Sequence, residues 1–380
     1  MALRLLTTEG KITDSDEARR WVEQHTSSGA GQGPDCAAFW LDIIEPDTGA
    51  IDWLASHFRF HPLTIEDLRS PNERGKLEIY DNYLFLIIHS AHVEGLGNAQ
   101  PREGGPSGHN PQRPHPADPL HPHWQPPARG SADTTAQHPM ESGICALDSH
   151  ELHAYLGKTY LITVHDPQML PVEKVWKKIE TQAAEGEIPT LQHGVDYVLY
   201  KILDSTADSF FDALETTAEQ IDSLEDTVLG KPDPELLKDV FIVKRNLMTL
   251  RRVVTPMREA VGILGTPGSP FIHDENERYL RDVHNLLVAV YELADTQRDA
   301  TSGVLDTYLS SVNNNLSVVV KRLTLFATIF MPLSFIVGFG GMNFVKFIPY
   351  DSPVAFWLVI AALIITPILM LIWFWRSRWF

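Results

Sequence analysis

The sequence predicts a cytoplasmic α/β domain joined by a long stalk helix to two transmembrane helices at the C-terminal end of the chain. Three observations support this fold class. Strand-like and helix-like segments alternate between residues 36 and 94, helical periodicity extends from about residue 168 onward, and two uncharged apolar segments lie near the end of the chain. A fold of this kind places a large soluble body on a small membrane anchor.

Composition and charge limit the classes of function. The 380-residue chain has a formal net charge of −18, which argues against nucleic acid as a partner and is compatible with attracting cations. The start of the chain has no sustained apolar stretch like that of a secretory signal, so the soluble part is expected in the cytoplasm. The two cysteines, Cys36 and Cys145, are therefore expected to be free thiols.

The α/β pattern begins with a strand at residues 36–44 (CAAFWLDII), followed by a helix at IDWLASHF. A second helix is expected at residues 61–68 (HPLTIEDL), with Thr64 as its N-terminal cap. β-Branched and aromatic residues between positions 77 and 93 predict two paired strands with a turn at Asp81 and Asn82.

Residues 96–140 are rich in proline, glycine and histidine, and are expected to form a disordered insertion because few of their side chains could be buried. Strand-like sequence resumes at residues 143–166, so the insertion is expected to interrupt a sheet and not to separate two domains. Its histidines could bind a metal ion loosely, but their proline-rich spacing fixes no ligand geometry and favours a solvated linker. These histidines are His109, His115, His121, His123 and His138.

Two helical segments follow the sheet. Residues 193–229 repeat apolar side chains at helical spacing, residues 231–234 (KPDP) interrupt the pattern, and a second helical segment returns. This pattern predicts a helical hairpin that completes a domain of residues 1–265. The acidic first arm of the hairpin is either a solvated face or a surface that gathers cations.

A stalk helix is predicted at residues 273–322, because the helical pattern continues from about residue 273 with no proline before Pro332. If it runs unbroken into the first apolar segment, it has about 65 residues and spans roughly 100 Å. A seam of residues at alternating spacings of three and four supports one continuous helix. The seam contains Leu280, Val283, Leu287, Val290 and Ala294. A helix of this length is expected to bundle with copies of itself in an oligomer.

Residues 323–339 and 354–375 carry no charge and are long enough to cross a bilayer. Basic residues flank the pair: Lys321 and Arg322 precede the first span, whereas Arg376 and Arg378 lie in the tail of residues 376–380. By the positive-inside rule, both termini are cytoplasmic and the loop of residues 340–353 faces outward. The alternative, buried helices of a soluble core, is disfavoured by these lengths and flanks.

One stripe of the first span consists mostly of small or hydroxylic residues, which suits either a close helix interface or a pore lining. The stripe contains Ser317, Val320, Thr324, Ala327, Met331, Ser334, Gly338 and Gly341. At its outer end, Gly341 and Asn343 would offer neutral carbonyl and amide oxygens. Such oxygens suit a cation that keeps its water, and Mg²⁺ dehydrates reluctantly, so the pattern favours a Mg²⁺ pore.

The chain resembles the CorA family of divalent-cation channels, bacterial magnesium transporters with a Gly-Met-Asn signature after the first of two C-terminal spans. The resemblance covers most of the chain from Asp35 onward, apart from the insertion. It rests on the segments HPLTIEDL, KLEIYDNYLFLI, VKRNLMTLRRVVTPMRE, YLRDVHN, LDTYLSSVNN and ATIFMPLSFIVGFGGMNF. It implies a homopentameric funnel in the bacterial inner membrane that takes up Mg²⁺, with Co²⁺ or Ni²⁺ as mimics. Neither enzymatic activity nor an organic cofactor is implied.

The resemblance also assigns pore positions. The signature is matched by Gly341, Met342 and Asn343, an apolar constriction by Leu323 and Met331, and polar and narrow positions by Ser334 and Gly338. Asn343 is expected to meet hydrated Mg²⁺.

Three acidic residues are implied in regulation. Asp282 matches a carboxylate that binds regulatory Mg²⁺ between subunits, Glu94 is its expected partner from the neighbouring subunit, and Asp306 is a second candidate on the same helix. An ordinary salt bridge within the stalk is the alternative for each of them.

Three departures from the family pattern leave the transported cation open. Gly340 stands where tyrosine is common, Ser317 stands where many members have asparagine, and the outer loop lacks the usual acidic cluster. A zinc transporter of the same fold is one alternative, although zinc relatives tend to replace the methionine that is Met342 here. A membrane-anchored metal sensor that conducts nothing is another. The sequence contains no nucleophile elbow or phosphate-binding glycine loop, which argues against an enzyme.

Overall fold

The computed structural model describes residues 2–8, 10–12, 14–26, 38–70, 74–93, 144, 146–184, 189–230, 233–341 and 353–376. The chain divides into two compact units. The first unit contains Met1–Thr227 and Asp233–Leu305, and the second contains Val228–Pro232 and Asp306–Phe380. The insertion of residues 96–140, Glu94 and both cysteines lie outside the described residues.

A seven-stranded sheet lies at the centre of the first unit. Its strands are Ala2–Thr7 (β1), Gly10–Ile12 (β2), Phe39–Ile44 (β3), Lys76–Ile79 (β4), Leu84–Val93 (β5), Leu147–Leu156 (β6) and Tyr160–His165 (β7). The strand order is β2-β1-β3-β7-β6-β5-β4. Only β3 and β7 are parallel, and every other neighbouring pair is antiparallel.

Nine helices are described: Ser15–His25 (α1), Thr48–Phe58 (α2), Pro62–Arg69 (α3), Leu170–Ala184 (α4), Pro189–Gln192 (α5), Val195–Gly230 (α6), Pro234–Leu264 (α7), Asp274–Gly340 (α8) and Pro353–Arg376 (α9). Residues from α1, α2 and α3 share a hydrophobic core with one face of the sheet, where Phe60 stacks on Tyr155. On the other face, Trp176 of α4 contacts Trp40 of β3, and α7 packs against β4, β5 and β6. The predicted α/β class is confirmed.

The strands predicted around the insertion are confirmed. β5 and β6 are antiparallel neighbours, and Val93 pairs with Leu147 on either side of the insertion. The insertion therefore interrupts a sheet, as its flanks predict. β4 pairs with β5, with Ile79 opposite Leu84, which confirms the predicted turn at Asp81 and Asn82.

The structure adds a β-hairpin and a helix at the start of the chain that the sequence patterns did not reveal. β1 pairs along its whole length with β3, with Ala2 opposite Ile44 and Thr7 opposite Phe39. Leu3, Leu5 and Leu6 of β1 are buried. Because its partner strand lies more than thirty residues away in the sequence, no local pattern identifies this pairing.

Thr64 is not the cap of α3, and this prediction is wrong. The cap is His61, whose Nδ1 accepts a hydrogen bond from the backbone N–H of Leu63 at 3.3 Å. Pro62 sets the start of the helix, because its fixed φ and missing N–H suit the first helical position. Thr64 is already inside the helix, where its hydroxyl donates to the backbone oxygen of His61 at 3.0 Å.

A buried ionic cluster joins three strands on the α4 side of the sheet. Asp42 of β3 is fully buried; Arg4 Nε lies 2.8 Å from Asp42 Oδ2, and His165 Nε2 lies 3.2 Å from Asp42 Oδ1. Thr163 also donates to Asp42, and the Arg4 guanidinium lies 2.9 Å from Glu173 of α4. The two cations and two carboxylates compensate one another, which a buried charge requires.

Burial by itself would raise the pKa of Asp42 and lower the pKa of His165. The charges and hydrogen bonds of the cluster outweigh burial, so the pKa of Asp42 lies below its usual value and the pKa of His165 lies above it. The folded state therefore favours protonated His165 beside ionised Asp42.

The first part of α8 packs inside its own chain. Its residues Leu280, Val283, Leu287, Val290 and Ala294 are all fully buried. The side chain of Gln297 donates to the backbone oxygen of Leu214 in α6, and Arg251 of α7 forms an ion pair of 2.7 Å with Asp295. The 67 residues of α8 confirm the continuous helix. The seam of its first part is buried inside the chain, so it is not available for bundling with copies of the stalk.

We expect the stability of the first unit to fall as pH rises through the raised pKa of His165. Its protonated form stabilises the folded state fully below about pH 6.5, and that contribution is lost above the folded pKa. Thermal unfolding of the full-length protein in detergent, followed by tryptophan fluorescence from pH 6 to 9, measures this. The His165→Gln variant should show a weaker decline, and exposed His25→Gln should match wild type; equal slopes for all three would contradict the assignment.

Candidate ion pathway and regulatory site

Two helices are long and apolar enough to cross a membrane by length and composition. Their apolar stretches lie within Asp274–Phe339 and Trp357–Arg376. The apolar stretches of both helices belong to the second unit. Almost none of their residues is buried inside the chain. A soluble core helix would be buried, so the surface of these helices must be covered by something other than this chain.

The stripe predicted to line a pore is exposed along its described length. Met331 exposes 72% of its surface, and Thr324, Ala327, Ser334 and Gly338 are also exposed. Leu323, the other predicted constriction residue, lies beside the stripe and exposes 69%. A different face of the same helix is half-buried. It contains Leu325, Thr328, Ile329, Pro332, Leu333 and Ile336. The exposed stripe and the half-buried residues therefore lie on different faces of α8.

Three hydroxyl groups on this helix donate hydrogen bonds to backbone oxygens of the same helix. Ser317, Thr324 and Thr328 donate to the backbone oxygens four residues earlier, at 2.9, 2.8 and 2.7 Å. Their oxygen lone pairs remain available as acceptors. Ser317 and Thr324 on the stripe can therefore accept hydrogen bonds from water around a cation.

The outer end of the stripe is open within the chain. A methyl group added at Gly338 would meet no atom within 4 Å. Gly341 directly follows the last residue of α8, and its backbone N–H donates to the oxygen of Val337 at 2.9 Å. Met342, Asn343 and the remainder of the outer loop lie outside the described residues.

A second exposed seam, which sequence reasoning missed, precedes and enters the first span. Its members follow alternating spacings of four and three residues, as in a coiled coil. They are Leu305, Leu309, Val312, Leu316, Val319 and Leu323. Leu305 is half-buried, the other five are exposed, and Val304 is the last buried residue of α8 among those described. The spacing was visible in the sequence, but only burial separates this seam from the earlier one.

Asp282 is a half-buried carboxylate on α8, and it forms no salt bridge or hydrogen bond with any part of the chain that the structure describes. The predicted alternative of an ordinary stalk salt bridge is therefore not seen there. A half-buried carboxylate without a cation is unfavourable, and carboxylate oxygens are the ligands that Mg²⁺ prefers. Among the described residues, no group of three or more His, Cys, Asp or Glu side chains could hold a metal ion, so Asp282 does not form a metal site with them.

The other predicted regulatory and membrane-flanking residues that the structure describes are exposed. Asp306 is exposed and belongs to the second unit, whereas Asp282 belongs to the first. Lys321, Arg322 and Arg376 are exposed at the ends of the apolar segments. Arg378 lies outside the described residues.

Comparison with known proteins identifies the family. The sequence matches the family described as "CorA-like Mg2+ transporter protein" over residues 37–101 and 139–376. The chain belongs to this family. The unmatched residues between the two segments fall within the insertion, which is therefore an addition to the family's common core. The family is one of divalent-cation transporters and not a class of enzymes.

Individual relatives agree with the family and the fold. The chain is 27% identical to the cobalt/magnesium transport protein CorA of Thermotoga maritima, over 90% of this chain and 83% of the relative. The complete structure of the CorA magnesium transporter from Methanocaldococcus jannaschii has the same fold, with a TM-score of 0.73 at 17% identity over 100% of this chain and 99% of that chain. A zinc transport protein, ZntB of Pectobacterium carotovorum, is 24% identical over 60% of this chain and 67% of the relative.

We expect Asp282→Asn to leave the stability of the chain unchanged or slightly higher in buffer without divalent cations. The substitution removes an unpaired charge and breaks no ion pair within the described residues. The matched variant Asp295→Asn breaks the pair with Arg251 and should lower stability by about 0.5 kcal/mol. Chemical denaturation compares the two; strong destabilisation by Asp282→Asn alone would show that its carboxylate holds the fold together.

Proposed function

We propose that this protein is a homopentameric channel that takes up Mg²⁺ across the bacterial inner membrane and closes when Mg²⁺ accumulates inside. The observation that carries the proposal is the exposed stripe of small and hydroxylic residues along the end of α8. It presents acceptor oxygens at Ser317 and Thr324 and open space at Gly338. A membrane anchor alone would require no such stripe.

Assembly of several copies is supported by the exposed seam from Leu305 to Leu323. The seam begins about four turns before Lys321 and Arg322, so that part lies outside the hydrocarbon if these basic residues mark the membrane surface. Lipid cannot cover it there, whereas the same seam on another copy can. The stripe of one helix does not enclose a path for ions, so the pathway also depends on several copies.

Selectivity in this proposal rests on weak, neutral contacts. Gly341, Met342 and Asn343 form the outer mouth, where carbonyl and amide oxygens accept hydrogen bonds from the water around Mg²⁺. Leu323 and Met331 form apolar constrictions that a hydrated ion crosses only when the helices separate. Keeping the ion hydrated avoids the cost of stripping water from Mg²⁺.

Regulation is assigned to Asp282, with Glu94 of the partner subunit as its counterpart and Asp306 as a second acidic position. Facing carboxylates on adjacent subunits repel one another, which favours separated subunits and a wider constriction. A bound Mg²⁺ would supply the positive charge that removes this repulsion. The half-buried position of Asp282 without a cation in the described chain supports the assignment.

Cytoplasmic termini are supported by Lys321, Arg322 and Arg376 at the ends of the two apolar segments. Co²⁺ and Ni²⁺ are expected to pass as mimics of Mg²⁺, and the name of the Thermotoga relative includes cobalt. Zinc transport is the second candidate function, because a zinc transport protein is among the relatives. Met342 in the signature favours Mg²⁺ over Zn²⁺.

Ion flux into liposomes tests the transport proposal. Purified protein is reconstituted, and Mg²⁺ or Zn²⁺ entry is followed with a trapped fluorescent indicator for wild type and Asn343→Ala. We expect Mg²⁺ entry by wild type and at least tenfold slower entry by the variant, because the amide that meets the hydrated ion is lost. Zn²⁺ entry without Mg²⁺ entry would assign the protein to zinc transport, and absence of any divalent flux would indicate a sensor.

We expect Gly338→Ala to slow Mg²⁺ entry several-fold without reducing stability. The added methyl meets nothing inside the chain, but each copy adds one to the narrow part of the stripe. Gly303→Ala is the matched control, since it lies on α8 in equally open space before the span and gains the same helix propensity, about 1 kcal/mol. Equal flux for both variants would remove Gly338 from the pathway.

A further inference from the structure

One buried carboxylate joins the beginnings of α6 and α8. Asp196, the second residue of α6, is fully buried. Its Oδ2 accepts hydrogen bonds from the backbone N–H of His273 at 2.8 Å and from Asn276 Nδ2 at 2.9 Å, and its Oδ1 lies 2.8 Å from His273 Nδ1. Because His273 directly precedes α8, the carboxylate lies at the N-terminal ends of both helices, where their dipoles favour a negative charge. We call these three residues the N-terminal joint.

The backbone beside Asp196 leaves room for the N-terminal joint. Gly194 has a φ of +101°, a left-handed conformation that glycine adopts without steric cost. A Cβ at this position would collide with Asp196 Oδ1 and lie 3.0 Å from the His273 ring. Asn276 is 3% exposed and also donates to the backbone oxygen of His193 at 3.0 Å. The joint therefore holds both the backbone and the side chains where the two helices begin.

A second contact between α6 and α8 follows the N-terminal joint along the chain. Tyr200 of α6 stacks on Tyr279 of α8, with ring centroids 5.0 Å apart, and Tyr197 meets the same ring edge-on at 5.6 Å. Asp282 follows Tyr279 by three residues and Asn276 by six, which is about 9 Å along the helix. The segment of α8 that leads to Asp282 is therefore fixed to α6 at two successive levels.

We infer that Asp196 is a positioning residue: by holding α8 to α6 it presents Asp282 in a fixed place, and this lowers the Mg²⁺ concentration at which the channel closes. The inference rests on the proposed regulatory role of Asp282. A ligand group that is already held in place loses less conformational entropy when an ion binds, so the ion binds more tightly. Asp196 itself contacts no ion in this scheme.

The test removes one hydrogen bond of the N-terminal joint and leaves its backbone bond in place. His273→Ala deletes the donor to Asp196 Oδ1. Because this side chain is 62% exposed and the backbone N–H still donates to Oδ2, the variant should fold. Mg²⁺ entry into liposomes prepared without internal Mg²⁺ is followed with a trapped fluorescent indicator. The initial rate should equal that of wild type, whereas the internal Mg²⁺ concentration at which entry falls to half should rise about threefold, the modest effect of one hydrogen bond.

Further variants separate positioning from a general loss of structure. His273→Asn keeps an N–H donor close to the place of Nδ1 and should close like wild type. His25→Ala removes a histidine whose Nδ1 also makes a hydrogen bond of 2.8 Å, but within α1 alone, and should not change closure. In the Asp282→Asn background, His273→Ala should cause no further shift, because the group that it positions is gone. An equal shift in His25→Ala, or a shift that persists without the Asp282 carboxylate, would overturn the inference.

Failure of the inference differs from failure of the function on which it rests. Closure at the same internal Mg²⁺ concentration in wild type and His273→Ala overturns the role of Asp196 alone. A lower initial rate with an unchanged closing concentration also overturns it, because the N-terminal joint would then support the ion pathway and not Asp282. Wild-type entry that never closes, or closure that is unchanged in Asp282→Asn, overturns both the regulatory site and the inference. Mg²⁺ entry by wild type supports transport in each of these cases.

Discussion

After Val304, α8 leaves a long apolar surface uncovered, and this surface governs how the chain can be accommodated. Before this residue, the helix buries Leu280 through Ala294 within its own chain, and after it no described side chain of α8 is buried. Large apolar side chains such as Leu316, Leu323 and Phe330 cannot remain in water over so long a stretch. One helix therefore belongs to two environments: its first part to the fold of the chain, and its second part to surroundings that this chain does not supply.

The fold of the first unit fixes the beginning of α8 firmly. Asp196 of α6 accepts hydrogen bonds from the backbone N–H of His273 and from the Asn276 side chain, at 2.8 and 2.9 Å. Further along, the ion pair between Arg251 and Asp295 joins α8 to α7. Asp282 lies between these two attachments and takes part in neither. A carboxylate held on a rigid helix but left without a cation is well suited to respond to one.

Asp42 and Asp282 of the first unit differ in how their buried or half-buried charges are compensated. Asp42 is fully buried, and its neighbours Arg4, Thr163 and His165 all stabilise its charge, so the cluster joins strands and does not require an external ion. Asp282 is half-buried and forms no ion pair or hydrogen bond within the described residues, so its charge is not compensated there. An unpaired carboxylate gains free energy when a cation binds, whereas a paired one must first give up its partner.

The local features of this protein can be predicted from its sequence. Periodicity, length and motif depend on residues close together in the chain. They identify the two apolar spans, the continuous helix that enters the first span, the strands on either side of the insertion, and the family. The stripe from Thr324 to Gly338 is also visible there. Its exposure is not, since burial depends on neighbours distant in sequence.

Which apolar surfaces face inward depends on the folded chain. The seams from Leu280 to Ala294 and from Leu305 to Leu323 have the same apolar spacing, yet the first is fully buried and the second is largely exposed. The pairing of β1 with β3 also depends on the folded chain, because the two strands are more than thirty residues apart and no periodic signal joins them. The cap at His61 is local, but the sequence pattern pointed to Thr64 instead.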